Sequence, residues 1–371
     1  MDIESLPIQS QPTSGAAAPS AAIFDKPVNF KSILLLLLNF FLVLLGGSGA
    51  PVLIRIYFLH GGNREWFTSF LQTAAFPFLL LPLLFSFSRR RSSASSTPLF
   101  LISPFLLLSS AVIGILTGVD NFLYSYGISY LPLSTSSLLI STQLGFTALF
   151  AFLIVRQKFT ASSINSVVLL TVAAVVLGVH ANGDRPAGES NAKYYAGFAM
   201  ALGAAVLYGL VLPLVELMYG KAKQDISYTL VVEIQIVISV AATAFCAVGM
   251  AVNKDFPAIS RESHLFGLGE TKYYVVVIFI ALLSQCFFLG LVGTINYSSA
   301  LLGGIALAIC IPITEVLAVI FLHEKFDGEK GVSLALAIWG MTSYFYGEYK
   351  SYQRNKTIAT ENPLPISSPV N

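Results

Sequence analysis

The strongest constraint on this chain is a recurrence of apolar runs of about 20 residues, separated by short polar links, from Ser32 to Tyr349. In hydrocarbon every backbone N–H and C=O must be satisfied within its own segment, so such runs fold as membrane-crossing helices. Ten segments qualify: Ser32 to Ile54, Trp66 to Phe87, Phe100 to Tyr126, Ser134 to Val155, Ile164 to His180, Tyr194 to Tyr219, Tyr228 to Val252, Tyr273 to Tyr297, Leu301 to Leu322 and Val332 to Tyr349. Only Leu131-Pro132 parts the third from the fourth, and the eighth and ninth are joined as tightly, so nine or eleven crossings also fit the pattern. Composition agrees. With 55% hydrophobic and 11% charged residues, 371 residues would lack the polar surface to cover a soluble globule.

The expected class is therefore an all-α integral membrane protein with the lipid bilayer as its solvent. A net charge of +2, with basic residues scattered between apolar runs, gives no case for a nucleic-acid partner. Cys246, Cys286 and Cys310 lie inside apolar runs and read as small core residues rather than disulfides or metal ligands. Residues 1–30 are rich in Pro, Ser and Ala and carry acidic Asp2 and Glu4, unlike the basic start of a signal peptide. They and residues 351–371 read as disordered cytosolic tails around a membrane domain at 31–350. The Lys/Arg bias, led by Arg89-Arg90-Arg91, places both tails in the cytosol.

Sliding the chain on itself by 167 residues aligns Tyr130 with Tyr297, Thr147 with Thr314, Ala151 with Ala318, and Lys158-Phe159 with Lys325-Phe326. The offset spans five segments. An odd number reverses orientation, so the expectation is two inverted five-helix repeats, about 31–182 and 193–350, with a solute site between them near the midplane. Receptors and membrane enzymes have no comparable need for this symmetry.

The stretches Asp120-Asn121-Phe122-Leu123-Tyr124-Ser125-Tyr126-Gly127, Tyr130-Leu131-Pro132-Leu133-Ser134-Thr135-Ser136-Ser137 and Gln143-Leu144-Gly145-Phe146-Thr147-Ala148 resemble the plant purine permease family of the drug/metabolite transporter superfamily. Leu207-Tyr208-Gly209, Val231-Val232-Glu233-Ile234-Gln235 and His323-Glu324-Lys325-Phe326 resemble it too, while the Asn63-Arg64-Glu65-Trp66 loop is less basic than the family pattern. The likeness covers about Asn39 to Tyr349. It implies proton-coupled uptake of purine bases, cytokinins and related nitrogen heterocycles, with the plasma membrane as the commonest site and vacuolar or endoplasmic reticulum membranes as alternatives.

Within the spans the ionisable residues are Asp120, Glu216, Glu233 and Glu315. A charge there is costly, so each is a candidate for carrying the proton, with Glu233 first and Glu315 second, against a structural role as a cap or ion-pair member. No Lys or Arg lies well inside any expected span, which disfavours phosphorylated substrates, since these need fixed cations in low dielectric. Asn121, Gln143 and Gln285 offer a donor beside an acceptor, the pattern that pairs with a purine edge, while Tyr124, Phe146 and Phe288 could stack on the ring. The alternative for all six is helix packing. Ser134, Ser137 and Ser141 share one helical face and are expected to bond back to their own carbonyls, and Gly114 and Gly118 to form a packing face. Pro77, Pro82, Pro104, Pro213 and Pro312 mark expected kinks. Phosphate-loop, GxGxxG, HExxH and Gly-x-Ser-x-Gly motifs are missing, so neither enzyme chemistry nor a cofactor is expected. Two other readings remain: a carrier of another neutral or cationic metabolite, and a non-transporting membrane sensor. A homodimer is compatible with the sequence and not required by it.

Overall fold

The computed structural model describes residues 30–93, 100–155, 161–179, 190–224, 227–297 and 300–361. Its regular elements, among these residues, are all helical. They run α1 (Phe30–Leu59), α2 (Glu65–Ala74), a 3₁₀ turn (Phe76–Leu79), α3 (Leu80–Ser93), α4 (Pro104–Tyr130), α5 (Leu133–Ser141), α6 (Gln143–Val155), α7 (Ala161–Val179), α8 (Asn191–Lys221), α9 (Tyr228–Val252), α10 (Ala258–Leu265), α11 (Glu270–Tyr297), α12 (Ala300–Leu322) and α13 (Gly328–Glu361).

Among the described residues, seven stretches are long and apolar enough to cross a membrane: Ile33–Leu59, Glu65–Phe85, Pro104–Tyr130, Leu133–Ile154, Asn191–Lys221, Tyr228–Val252 and Glu270–Thr294. Ile164–Ala173 of α7 and Ile309–Leu322 of α12 are apolar but shorter. In α13 the apolar run is diluted by Gly340, Thr342 and Ser343. Two stretches are interrupted rather than straight. The second breaks into a 3₁₀ turn at Pro77, which has no N–H for the helical ladder, and the fourth tightens at Thr142, whose N–H bonds to Leu139 O at 3.1 Å. Pro213 and Pro312 sit inside α8 and α12 as expected of kink positions. Pro104 instead opens α4 in its first turn, where a missing N–H costs nothing.

Polarity is inverted relative to a soluble protein. Leu37, Phe41, Leu81, Phe85, Leu108, Val248 and Trp339 point outward, whereas Asn39, Gln72, Asp120, Asn121, Gln143, Glu233, Gln285 and Glu315 are buried. Apolar side chains gain nothing by leaving lipid, so close packing and internal hydrogen bonds hold the helices together. Gly114 and Gly118 form the packing face expected of them: a Cβ on Gly114 would lie 2.5 Å from the Ile238 carbonyl oxygen of α9, and one on Gly118 3.1 Å from that of Ala242. The main helix pairs are α1 with α11 and α12, α8 with α4 and α6, α4 with α9, and α7 with α13.

The loops sort onto two ends of the bundle. At one end the 60–64, 131–132, 253–269 and 323–327 links meet; at the other, the start of α4 meets the link after α8, where Gln224 Nε2 donates to Leu101 O at 3.1 Å. Arg55 departs from expectation. α1 continues past Ile54, enclosing Arg55 at 4% exposure, and its Nη1 donates to the Ile128 and Ser129 carbonyls at 2.7 and 3.1 Å. The cation thus caps the C-terminus of α4, where unpaired carbonyls and the helix dipole attract it.

The first end carries an ionic network. Arg64 pairs with Asp255 at 3.1 Å and lies 3.9 Å from Glu262, and Glu262 accepts from the hydroxyls of Tyr57 and, at 3.1 Å, Tyr273. Burial raises the Glu262 carboxyl above its ordinary value, outweighing the lowering effect of these bonds and of Arg64. A folded-state value above the unfolded one means that the folded chain holds this proton more tightly. The group therefore favours the fold at pH below both values, and that contribution is lost as pH rises through the folded value. Glu262→Gln should flatten the thermal stability of the solubilised protein between neutral pH and the ordinary carboxyl range, about pH 4.3. Identical slopes in variant and wild type would show that Glu262 does not titrate differently on folding.

Candidate functional site

Three faces of α4 have separate duties. Gly114 and Gly118 meet α9; Gly127 meets α8, where an added Cβ would lie 2.9 Å from the Ala201 Cβ. Asp120 and Tyr124, one turn apart, fall between these contact faces and are directed into the bundle. Tyr208 of α8, which packs on α4 through a cluster that includes Ile113, contributes a second phenol. Tyr208 packs in two apolar clusters, one with Ile113 and Val211, the other with Val43, Leu212, Phe287 and Leu291. Tyr124 packs against a third, with Val52, Leu71 and Ile128. Both tyrosines are half-buried.

Gly209 brings the next wall close. A Cβ there would lie 2.7 Å from the Phe146 Cβ and 3.1 Å from the Gln143 carbonyl oxygen, so α6 rests directly on α8 beside Tyr208. Gln143, 8% exposed, makes no side-chain hydrogen bond among the described residues. Asp120 Oδ1 is fully buried, also without a hydrogen-bond partner among them. A buried polar atom left unsatisfied costs about 1–3 kcal/mol, which makes it a site awaiting a partner. α4 and α6 both pack on α8, so Asp120 and Tyr124, Gln143 and Phe146, and Tyr208 sit on three helices that meet at α8 and offer a carboxylate, an amide, two phenols and a phenyl ring.

The other candidates are distributed elsewhere. Asn121 lies on the seam with α2, where its carbonyl accepts from Ser69 Oγ at 3.2 Å and Gln72 Nε2 at 3.4 Å; its Nδ2 has no partner among the described residues. Gln285 of α11 is 4% exposed, with both amide atoms unpartnered among the described residues. Phe288 meets Phe287 edge-on at 5.2 Å, and Phe287 in turn shares a cluster with Tyr208.

The remaining carboxylates differ in setting. Glu233 Oε2 accepts from the backbone N–H groups of Leu101 and Ile102 at 2.7 and 3.0 Å, which ties α9 to the segment entering α4. Glu315 Oε1 accepts from Ser137 Oγ at 2.6 Å, joining α12 to α5. Glu216 is exposed on the outer side of α8. The serine face behaves unevenly. Ser141 bonds back to Leu138 O at 2.6 Å and Ser137 to Ser134 O at 2.9 Å, but Ser134 Oγ donates to Glu324 at 2.8 Å.

Sequence reasoning passed over Tyr208 and Gln72. Tyr208 was legible as an aromatic–glycine pair, Tyr208-Gly209, in an otherwise aliphatic run; Gln72 carried no signal beyond being a lone amide in its span.

Comparison with known proteins fixes the lineage of this arrangement. Residues 34–354 match the family described as purine nucleobase transmembrane transport. The chain belongs to the purine permease family. It is 50% identical to purine permease 3 of Arabidopsis thaliana over 330 residues, covering 88% of this chain and 94% of that protein. It is 47% identical to purine permease 2 of the same plant, covering 90% and 97%. A solved crystal structure aligns with a TM-score of 0.52 at 16% identity, covering 84% of this permease and 95% of that chain, a likeness of fold alone. The permease is a multi-pass membrane protein of a transporter family rather than an enzyme.

Proposed function

We propose that this permease carries purine bases, cytokinins and related nitrogen heterocycles across the membrane by proton-coupled symport, with the substrate held among Asp120, Tyr124, Gln143, Phe146 and Tyr208. The observation that carries the reading is Asp120 Oδ1, buried without a hydrogen-bond partner among the described residues, together with a buried Gln143 whose side-chain amide makes no hydrogen bond among them. A purine offers edge N–H and ring-nitrogen groups to the polar side chains and two flat faces to the aromatic ones. Among the described residues, the cations nearest the spans are engaged elsewhere: Arg55 on the end of α4 and Arg64 on Asp255. That suits a neutral or weakly basic solute.

The transport cycle we propose is alternating access between two inverted five-helix halves in a ten-crossing chain, with both tails in the cytosol. The pairing of helices supports it. α1 opens the first half and packs on α11 and α12 of the second, while α8 opens the second half and packs on α4 and α6 of the first, the same pattern with the halves exchanged. Proton coupling is assigned first to Asp120 and next to Glu315. Glu233 stays a candidate whose neutralisation would also weaken its two backbone bonds.

Uptake of labelled adenine by cells expressing the permease, with and without a collapsed proton gradient, tests the function. Gradient-independent uptake would overturn symport, and uptake of other metabolites alone would overturn the purine assignment. Removing a desolvated hydrogen-bonding partner costs about 1–3 kcal/mol, or roughly five- to a hundredfold in affinity. Gln143→Leu and Tyr208→Phe should each raise half-saturation by a factor in that range at normal surface level, and Asn121→Leu by less. Unchanged half-saturation in both would place the substrate elsewhere.

A further inference from the structure

We infer that Glu324 is a positioning residue for transport, a latch that closes one end of the permease by capping α5 from the opposite half. α5 begins at Leu133 after Pro132, and no side chain of its own caps it. Its first N–H groups are unsatisfied by the helix itself and present partial positive charge. Glu324 supplies the anion from 191 residues away: one carboxylate oxygen accepts from Leu133 N at 2.7 Å, the other from Ser134 N at 3.0 Å and Ser134 Oγ at 2.8 Å.

The turn that delivers this carboxylate is specialised. His323, just past the end of α12, adopts a left-handed backbone (φ +52), a conformation that side-chain-bearing residues rarely take. It folds the chain back so that Glu324 N bonds to Ala318 O at 3.3 Å, which directs the Glu324 side chain to α5. One turn further into α5, Ser137 donates to Glu315 of the same α12 at 2.6 Å. Glu315 of α12 and Glu324 of the link after it thus hold two successive turns of α5, and Glu324 is the outer of the pair, half-buried where water can replace it. An ordinary cap lies next to its helix in sequence. This one joins α5 to the link after α12 in the opposite half, so it must break when the two halves part at this end, the motion alternating access requires, and the inference rests on the proposed transport cycle.

The latch is tested with Ser141→Cys as a reporter, because Ser141 lies on α5 below the capped end and is 4% exposed, bonding only to its own helix. The background is the chain without its native cysteines. Labelling by an impermeant thiol reagent, with no substrate present, is expected to rise severalfold in Glu324→Ala and less in Glu324→Gln, which keeps one acceptor oxygen. A disulfide between Ser134→Cys and Glu324→Cys should abolish labelling and net adenine uptake, both restored by reductant. Reporter labelling unchanged in a monodisperse Glu324→Ala protein, or full uptake through the disulfide-closed form, would overturn the latch. Should Glu324→Ala not fold, the disulfide pair and Glu324→Gln decide alone. Labelling needs no substrate, so a failure of adenine uptake in the unmodified permease would sink the transport reading while leaving the gate measurement intact.

Discussion

Asp120→Asn is expected to lose proton-driven accumulation of purine, at least about tenfold below wild type, while exchange of bound purine across the membrane persists. The substitution keeps size and hydrogen-bonding capacity but removes the ability to ionise. Asp120 is the carboxylate one turn before Tyr124 on α4, with an oxygen that no described residue satisfies. At that depth the oxygen is completed either by a proton or by a donor on the substrate, which is how one group can link the two fluxes. Glu315 shares its charge with Ser137 and Glu233 with two backbone amides, so each has a local task that Asp120 lacks. Measuring adenine uptake against external pH alongside counterflow in vesicles separates coupling from binding. Asp120→Asn with wild-type pH dependence would move the coupling site to Glu315, for which Glu315→Gln is the next measurement.

A second large effect is expected at the seam of α4 and α9. Gly114→Leu should prevent assembly of a monodisperse protein and remove the permease from the cell surface. An added Cβ would meet a carbonyl oxygen at 2.5 Å and the Ala241 Cβ at 2.7 Å. Backbone cannot swing aside as a long side chain can, so the helices must part along the seam. Overpacking a fitted interface costs about 1–3 kcal/mol and more when backbone must move. Here the shift would also displace Asp120 on the same helix. Gly203→Ala is the matched control on α8, because its Cβ would sit 3.6 Å from Leu123, an ordinary contact. Size-exclusion profiles and surface biotinylation check both; a normal profile for Gly114→Leu would mean that α4 and α9 are not held at the spacing described.

Reading the chain by apolar length located the helices well because the bilayer imposes one dominant rule on every segment. Periodicity helped as well: Gly114 and Gly118, four apart, were legible as a packing face and serve as one. The method was weaker where a residue's environment is set by another part of the chain. Arg55 looked like a loop residue because Ile54 ended the apolar count, whereas its place is decided by the carbonyls of Ile128 and Ser129, 73 and 74 residues away. Glu233 is buried, as its place in an apolar run suggested, but the sequence does not reveal that Leu101 and Ile102 bring N–H groups to it. Asn121 and Asp120 are neighbours in sequence, yet a step of about 100° around a helix sends one to the α2 seam and the other into the bundle. The surroundings of aromatic residues were least legible of all, since Tyr208 and Tyr126 differ little in the sequence, yet Tyr208 packs in apolar clusters and Tyr126 against the rings of Phe122 and Tyr130.

The seam between α1 and α11 has a consequence for how the chain is made. Gly46 of α1 fits against the Phe287 backbone of α11, and Gly290 and Gly293 of α11 fit against Asn39 of α1. These surfaces are separated by more than 240 residues, so α1 leaves the ribosome long before its principal partner exists. During that interval it must remain in the bilayer unaccompanied. Its mean hydropathy of 2.3, with 28% of its apolar window buried in the finished fold, makes lipid an adequate companion. Asn39 is the exception, and it donates Nδ2 to Leu35 O at 2.7 Å within α1 itself, so part of its polarity is satisfied before any neighbour arrives. Biogenesis is thus late-closing: the first helix inserted is among the last to be locked, and nascent chains stopped before Glu270 would carry a complete α1 with its glycine seam still open to lipid.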